Sequence, residues 1–240
     1  MTTETNMAMT TEAVIQTTDV CRYYGAGATL VKAVDQVSIT IEPGEFTAII
    51  GPSGSGKSTL LHLLGGLDNP TSGKVELAGT NIAAMSGGEL SDFRRDHIGF
   101  VFQAYNLIPV LSAEENIEYI MLLQGASAAT RRQRVQEMLA LVELSGLGDR
   151  RPNQLSGGQQ QRVAVARAMA SHPNIILADE PTANLDSHTG IALLDVMKDL
   201  NQNQNHNMTF VFSTHDEKIM SRASRLIHMQ DGAVIRDERR

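Results

Sequence analysis

Residues 51–59 read "GPSGSGKST" and residues 155–168 read "LSGGQQQRVAVARA". Both stretches put small residues where backbone amides can turn toward an anion. The first fits G-x-x-x-x-G-K-[ST], and Gly51, Gly54 and Gly56 permit torsions that strain other residues. Successive N–H groups of such a loop, Ser53 and Ser55 included, can surround a β-phosphate. Lys57 can reach the β and γ oxygens, the Ser58 hydroxyl can hold Mg²⁺, and Thr59 lies near the α-phosphate. In the second stretch, Ser156, Gly157 and Gly158 open what reads as a helix, where free N–H groups and the dipole favour negative charge. Two phosphate-seeking loops in one chain raise the question of what the second one is for.

A phosphate loop needs an acidic partner at the end of a buried strand, and "IILADE" (175–180) supplies it. Asp179 emerges at the carboxyl end of that apolar run, where open α/β sheets bind ligands, and would hold the hydration shell of Mg²⁺. Glu180 can face the water in line with the γ-phosphate. A positioned carboxylate base of this kind contributes roughly 10²–10⁴ in rate.

The elements around these residues follow from hydrophobic period. "VKAVDQVSITIEPGEF" (31–46) alternates, and predicts paired strands closed by a Pro-Gly turn. "FTAII" (46–50) predicts a short buried strand, and 58–67 a helix with Leu60, Leu61, Leu63, Leu64 and Leu67 on one face. His62, among them, reads as a tolerated surface histidine. Strand-like runs recur at 73–83 and 97–102. The middle of the chain is helical, with Val135, Met138, Leu139 and Val142 spaced for one buried stripe. A helix at 159–171, the strand "NIILADE", a helix across 187–200 and the strand "TFVFSTH" complete the alternation. The pattern implies a parallel α/β core carrying an inserted helical lobe. The polar run "NQNQNHN" (201–207) reads as a solvated loop.

Composition bounds the reading. The chain has 240 residues, 42% of them apolar, and a formal net charge of −7. That charge argues against broad sequence-independent nucleic-acid binding, so no nucleic-acid partner is expected. Cys21 is the only cysteine, which rules out an intrachain disulfide and any cysteine-based zinc site. No apolar run approaches the ~18 residues of a membrane span, and the amino terminus lacks the pattern of a signal peptide. A cytoplasmic chain is expected, with any membrane part supplied by another polypeptide.

LSGGQ at 155–159, the phosphate loop and "ILADEP" together resemble the nucleotide-binding domain of an ABC (ATP-binding cassette) ATPase, from about Val20 to Arg236. The resemblance implies an α/β P-loop NTPase core with a mostly parallel sheet, an antiparallel β subdomain and an inserted α-helical subdomain. After a flexible tail (1–16) it implies one domain, 17–236, with its core in 17–103 and 159–236 and the helical subdomain at about 104–158. ATP and Mg²⁺ are its implied ligands, and a homodimer its ATP-bound form. In that dimer the signature residues Leu155, Ser156, Gly157, Gly158 and Gln159 close over the ATP of the other subunit. The second loop then serves a partner's nucleotide. By the same resemblance Gln103 contacts magnesium and the attacking water, His215 contacts the γ-phosphate, and Asp186 crosses the dimer interface. Tyr24 matches the aromatic that stacks on adenine, with Tyr23 beside it as the alternative.

"LLHLLGGLDNPTSGKV", "FRRDHIGFVFQAYNLIPVLSAEENI" and "ILADEPTANLD" are most similar to the lipoprotein-releasing and macrolide-exporting ATPases, a group that includes the cell-division ATPase. Members of this group work with a separately encoded integral membrane permease, so the resemblance implies a peripheral position on the inner face of the cell membrane. Tyr105, Leu107, Ile108, Pro109 and Leu111 are the candidates for coupling to that subunit; packing inside the helical lobe is the alternative for each. A soluble ABC-type ATPase acting in repair, assembly or regulation is the other functional class the sequence allows.

Overall fold

A computed structural model describes residues 13–202 and 208–240. Residues 1–12 of the expected tail and 203–207 of the polar run lie outside the described residues. Ile15 and Gln16, assigned to the tail from sequence, already belong to the first strand, and Asn201 and Gln202 finish a helix instead of opening a loop.

Two sheets form the framework. The smaller is antiparallel, with β1 (Ile15–Tyr24), β2 (Val31–Val37), β3 (Thr40–Ile41), β5 (Ser72–Leu77) and β6 (Thr80–Asn81). The larger comprises β4 (Phe46–Ile50), β7 (Ile98–Val101), β8 (Ile175–Asp179), β9 (Thr209–Thr214), β10 (Arg225–Gln230) and β11 (Ala233–Arg239). Its order is β11-β10-β4-β9-β8-β7, parallel throughout except for the antiparallel β10–β11 edge. The helices are α1 (Lys57–Leu64), α2 (Gly87–His97), α3 (Ala113–Leu123), α4 (Ala128–Leu141), α5 (Gly157–Ala170), α6 (Ser187–Gln202) and α7 (Glu217–Arg222).

Every residue of β4 and β9 is buried, as expected for parallel strands covered on both faces. Alternation then divides them between two cores. Phe46, Ala48, Phe210 and Phe212 join the cluster built with α3 to α6, while Ile49 and Val211 join the one built with α1 and the antiparallel sheet. The aromatic trio on the first face packs with ring centroids 4.6 to 6.0 Å apart.

The segment 31–46 does not pair with itself as the sequence predicts. β2 and β3 both pair with β1, and the turn at Pro43-Gly44 carries the chain into the other sheet. Helix α1 buries Leu60, Leu61, Leu63 and Leu64 but stops at Gly65, so Leu67 falls outside it and is 41% exposed. Adjacent glycines end the helix: Gly66 has φ +62°, and the Leu67 amide returns to the His62 carbonyl at 2.9 Å.

Helix α2 has no buried residue, which is why no apolar stripe announced it; its Ser86–Glu89 capping box is the local signal that does. In the helical lobe, Val135, Met138, Leu139 and Val142 are buried as predicted. The fully buried Asn116 organises the loop before α3. Its Oδ1 accepts the Ile108 amide at 2.8 Å, and its Nδ2 donates to the Ser112 carbonyl at 2.8 Å. Among the described residues no helix is long and apolar enough to cross a membrane.

Arg225 ties the two sheets together. Its guanidinium donates to Asp237 at 2.6 and 2.8 Å, to Glu45 at 3.0 Å and to the Thr40 carbonyl at 2.5 Å. Arg225→Ala leaves Glu45 half-stranded, and is expected to lower unfolding free energy by about 3–5 kcal/mol in urea titrations at neutral pH. Arg225 holds the Asp237 carboxyl below its usual range. The stabilisation is therefore present above the unfolded carboxyl pKa of about 4 and is lost as pH falls through the lower folded value. An unchanged midpoint at neutral pH would refute the role of this network.

Candidate nucleotide site

The loop between β4 and α1 forms the floor of a cleft of about 810 Å³. Gly51, Ser53, Gly54, Gly56, Lys57, Ser58 and Thr59 all line it. Gly56 begins α1 at φ +101°, and a Cβ there would lie 2.1 Å from the Ala33 carbonyl, so only glycine fits. Lys57 is 8% exposed and donates to the Gly51 and Pro52 carbonyls at 2.9 Å each, which aims its ammonium across the loop. Ser55 is the exception among the loop residues. The residue is 3% exposed, and its carbonyl accepts the Gly232 amide at 3.1 Å.

The ends of the neighbouring strands complete the cleft. Ser58 Oγ lies 2.9 Å from Asp179 Oδ1, at the tip of β8. Glu180, just beyond, adopts φ +45°, a left-handed backbone that non-glycine residues seldom take. Its amide continues the ladder to the Ser213 carbonyl at 2.9 Å, and its carboxylate meets His215 Nδ1 at 2.7 Å and Thr214 Oγ1 at 3.3 Å. Glu180, His215 and Gln103 thus share one cleft with the phosphate loop. Ser58 and Asp179 are hard oxygen donors side by side, and this set fits Mg²⁺ bound through one carboxylate, phosphate oxygens and water.

The signature stands apart: none of residues 155–159 lines the cleft. Ser156 caps α5, accepting the Gln159 amide at 3.3 Å while Gln159 Oε1 takes the Ser156 amide at 2.9 Å. Leu155 is 8% exposed and packs into the core, so it anchors the motif and does not present itself to a ligand. Asp186 caps α6 through 3.0 Å bonds from the His188 and Thr189 amides, and hydrogen bonds from Thr189 hold its carboxyl below the usual range.

Tyr24 does not reach into the cleft, nor does Tyr23. The Tyr24 hydroxyl donates to Asp68 Oδ2 at 2.7 Å and Arg22 lies 4.6 Å over its ring, while Tyr23 bonds Asp35. The wall at that end is Val31, Lys32 and Ala33, and Val31 is the cross-strand partner of Tyr24. Val31 was legible only as a strand residue; its 59% exposure is the sign of a surface role. His62, read as a surface residue, stands 4.0 Å from Asp179 Oδ2.

A second groove, of about 380 Å³, runs between the core and the helical lobe. Leu67, Phe100, Phe102, Tyr119 and Leu123 give it apolar walls, and Arg94 and Arg95 rim it. None of the five coupling candidates, Tyr105, Leu107, Ile108, Pro109 and Leu111, lines it. Leu107 packs against the core, and Asn116 holds the backbone of Ile108 and Leu111.

A family model described as "ABC transporter" matches residues 34–183, which include the phosphate loop, the signature and both acids. The chain belongs to the ABC transporter family. It is an ATP-hydrolysing ATP-binding domain with the ABC ATPase fold, similar to the macrolide/lipoprotein-releasing subfamily. It is 47% identical over 95% of its length to the macrolide export ATP-binding/permease protein MacB of Hyphomonas neptunium. It spans only 35% of that relative. An uncharacterized ABC transporter ATP-binding protein of Thermotoga maritima is also 47% identical, over 95% of this chain and 96% of its own. The solved ATP-binding cassette MJ0796, a dimer in a post-hydrolysis state bound to ADP and Pi, superposes with a TM-score of 0.87 at 43% identity. That match covers 94% of this ABC domain and 98% of the solved chain.

Gly56→Ala tests the loop directly. The clash with the Ala33 carbonyl and the positive φ require the loop to shift, so affinity for a fluorescent ATP analogue is expected to fall roughly tenfold or more. Wild-type affinity in that titration would mean that the observed loop geometry is not what holds phosphate.

Proposed function

We propose that this ABC domain works as an ATP-driven dimer that powers a separate integral membrane subunit. The observation that carries the reading is the separation of its two anion sites. Phosphate loop, Glu180, Gln103 and His215 gather at one cleft, with Asp179 bonded to Ser58 beside it, while the amides of Gly157 and Gly158 open α5 outside it. Each chain thus holds two half-sites, and a second copy facing it supplies the missing halves of both.

In the proposed cycle, ATP lies along the phosphate loop with its base toward Val31 and the neighbouring Tyr24. Loop amides and Lys57 bind the β- and γ-phosphates, and Ser58 and Asp179 hold Mg²⁺, which supplies charge neutralisation at the phosphates. Glu180 orients and deprotonates the attacking water from a carboxylate already fixed by His215 and Thr214. Gln103 reaches the same water from the opposite loop. The partner's Ser156 hydroxyl and signature amides donate to the γ-phosphate, whose charge ADP lacks, so ATP favours the dimer and hydrolysis releases it. Asp186 stands near the dimer seam.

The groove beside Phe100 and Tyr119 is the proposed seat for a cytoplasmic helix of the membrane subunit. Its apolar walls match the apolar face of an amphipathic segment. Through that contact the domain sits at the inner face of the membrane and takes part in export or in mechanical work on the envelope.

Glu180→Gln tests the reading. With Mg·ATP this variant is expected to bind nucleotide, to elute as a stable dimer in size-exclusion chromatography, and to hydrolyse roughly 10²-fold or more slowly. Steady turnover at the wild-type rate would remove Glu180 from its role. As tagged bait in detergent-solubilised native membranes, the trapped dimer is expected to retain one multi-span protein. Recovery of soluble proteins alone would favour an ATPase that acts without a membrane partner.

A further inference from the structure

The turn after Gln103 is held in an unfavourable conformation from two sides. Tyr105 and Asn106 are consecutive non-glycine residues with φ of +59° and +49°. Such a pair persists only where surrounding contacts over-determine it. One set of contacts comes from α5, the helix whose first residues are the signature. Arg167, in its last turn, donates through Nη2 to the Tyr105 carbonyl at 2.9 Å and through Nη1 to the Asn106 carbonyl at 2.6 Å. Among the described residues no carboxylate is bonded to this guanidinium, and burial pushes its pKa down. Arg167 is half-buried at the wall of the groove beside Phe100, and its forked geometry suits two adjacent carbonyls.

The second set comes from the loop between Glu180 and Asp186. Asn184 Nδ2 donates to the Gln103 carbonyl at 2.9 Å. The two sets converge at the signature itself. A Cβ at Gly157 would lie 2.9 Å from Tyr105 Oη and 4.0 Å from the Asn184 carbonyl. Tyr105, one of the expected coupling residues, therefore lies against the signature, with Gly157 leaving the space for it.

We propose that Arg167 is a positioning residue that makes the turn at 103–106 a rigid extension of the signature helix, with Asn184 as the second brace. A partner's ATP that draws in Ser156, Gly157 and Gly158 then carries Gln103 with it. Nucleotide engagement at one site thus sets the water-positioning glutamine of the other. This deepens the proposed function, and rests on its assignment of Gln103 to the reacting water.

The test is a double-mutant cycle on the full chain with Mg·ATP, comparing wild type, Arg167→Met, Gln103→Ala and the double variant. Arg167→Met is expected to keep affinity for a fluorescent ATP analogue within about twofold, and to lower kcat roughly 10- to 100-fold through misplacement of Gln103. The double variant is expected to be no slower than Gln103→Ala alone. Arg167→Lys, which keeps the charge without the fork, should recover part of kcat. Asn184→Ala removes the exposed brace, and the same non-additive pattern is expected there even if Arg167→Met does not fold. Multiplicative losses in the doubles, or kcat within twofold of wild type in both single brace variants, would overturn the proposal. Wild-type turnover by Gln103→Ala would instead overturn the assignment of Gln103, and the coupling with it.

Discussion

Ile50 stands opposite Thr214 and Asp179 stands opposite Ser213, because β4, β9 and β8 lie parallel in one continuous ladder. A one-residue slip in any of these pairings would turn Phe210 and Phe212 from their own core into the other. Burial on both faces therefore makes the register expensive to change. The three loops that follow these strands begin at one level on one edge of the sheet, where β4 hands over to the phosphate loop, β8 to Asp179 and Glu180, and β9 to Thr214 and His215. A chemical site assembled from segments so distant in the chain depends on this alignment more than on any single bond at the site.

The core pays for that order mostly in apolar area, and the polar bonds then determine which way the loops point. Glu180 takes a left-handed backbone while its amide still serves the ladder, which leaves its carboxylate to Thr214 and His215. Thr182 reaches Asp216 at 2.7 Å, so the segment after Glu180 is tied to the segment after His215. Ser58, in the first turn of α1, meets Asp179 at the tip of β8. Each tie joins two distant segments, and together they make the cleft respond as a unit. The helical lobe enters this unit through α5, which carries the signature at its start and the Arg167 bonds near its end.

Much of this was legible in the sequence. The strand "FTAII", the loop "GPSGSGKST" and the strand "NIILADE" are short-range patterns whose residue types admit few conformations, so the fold class and the residues on the floor of the cleft followed from them. Elements that lack an apolar stripe of their own, such as α2, or that depend on pairing with a distant strand, such as β10 and β11, left weaker signals. The partnership within 31–46 was misread because alternation marks a strand but does not name its neighbour; β2 and β3 both found β1. Tyr24 matches the family's adenine-stacking aromatic by sequence position, yet Asp68 and Arg22 decide where its ring goes.

By itself, then, the sequence determined which backbone segments can bind phosphate and which acids follow a buried strand, since glycine freedom, capping and hydrophobic period act over a few residues. Only the tertiary structure decided which loops share a cleft, that the signature lies outside it, and that Arg167 and Asn184 brace the turn after Gln103. Those facts depend on contacts between residues far apart in the chain, and the free energy that selects them comes from packing two cores around one sheet.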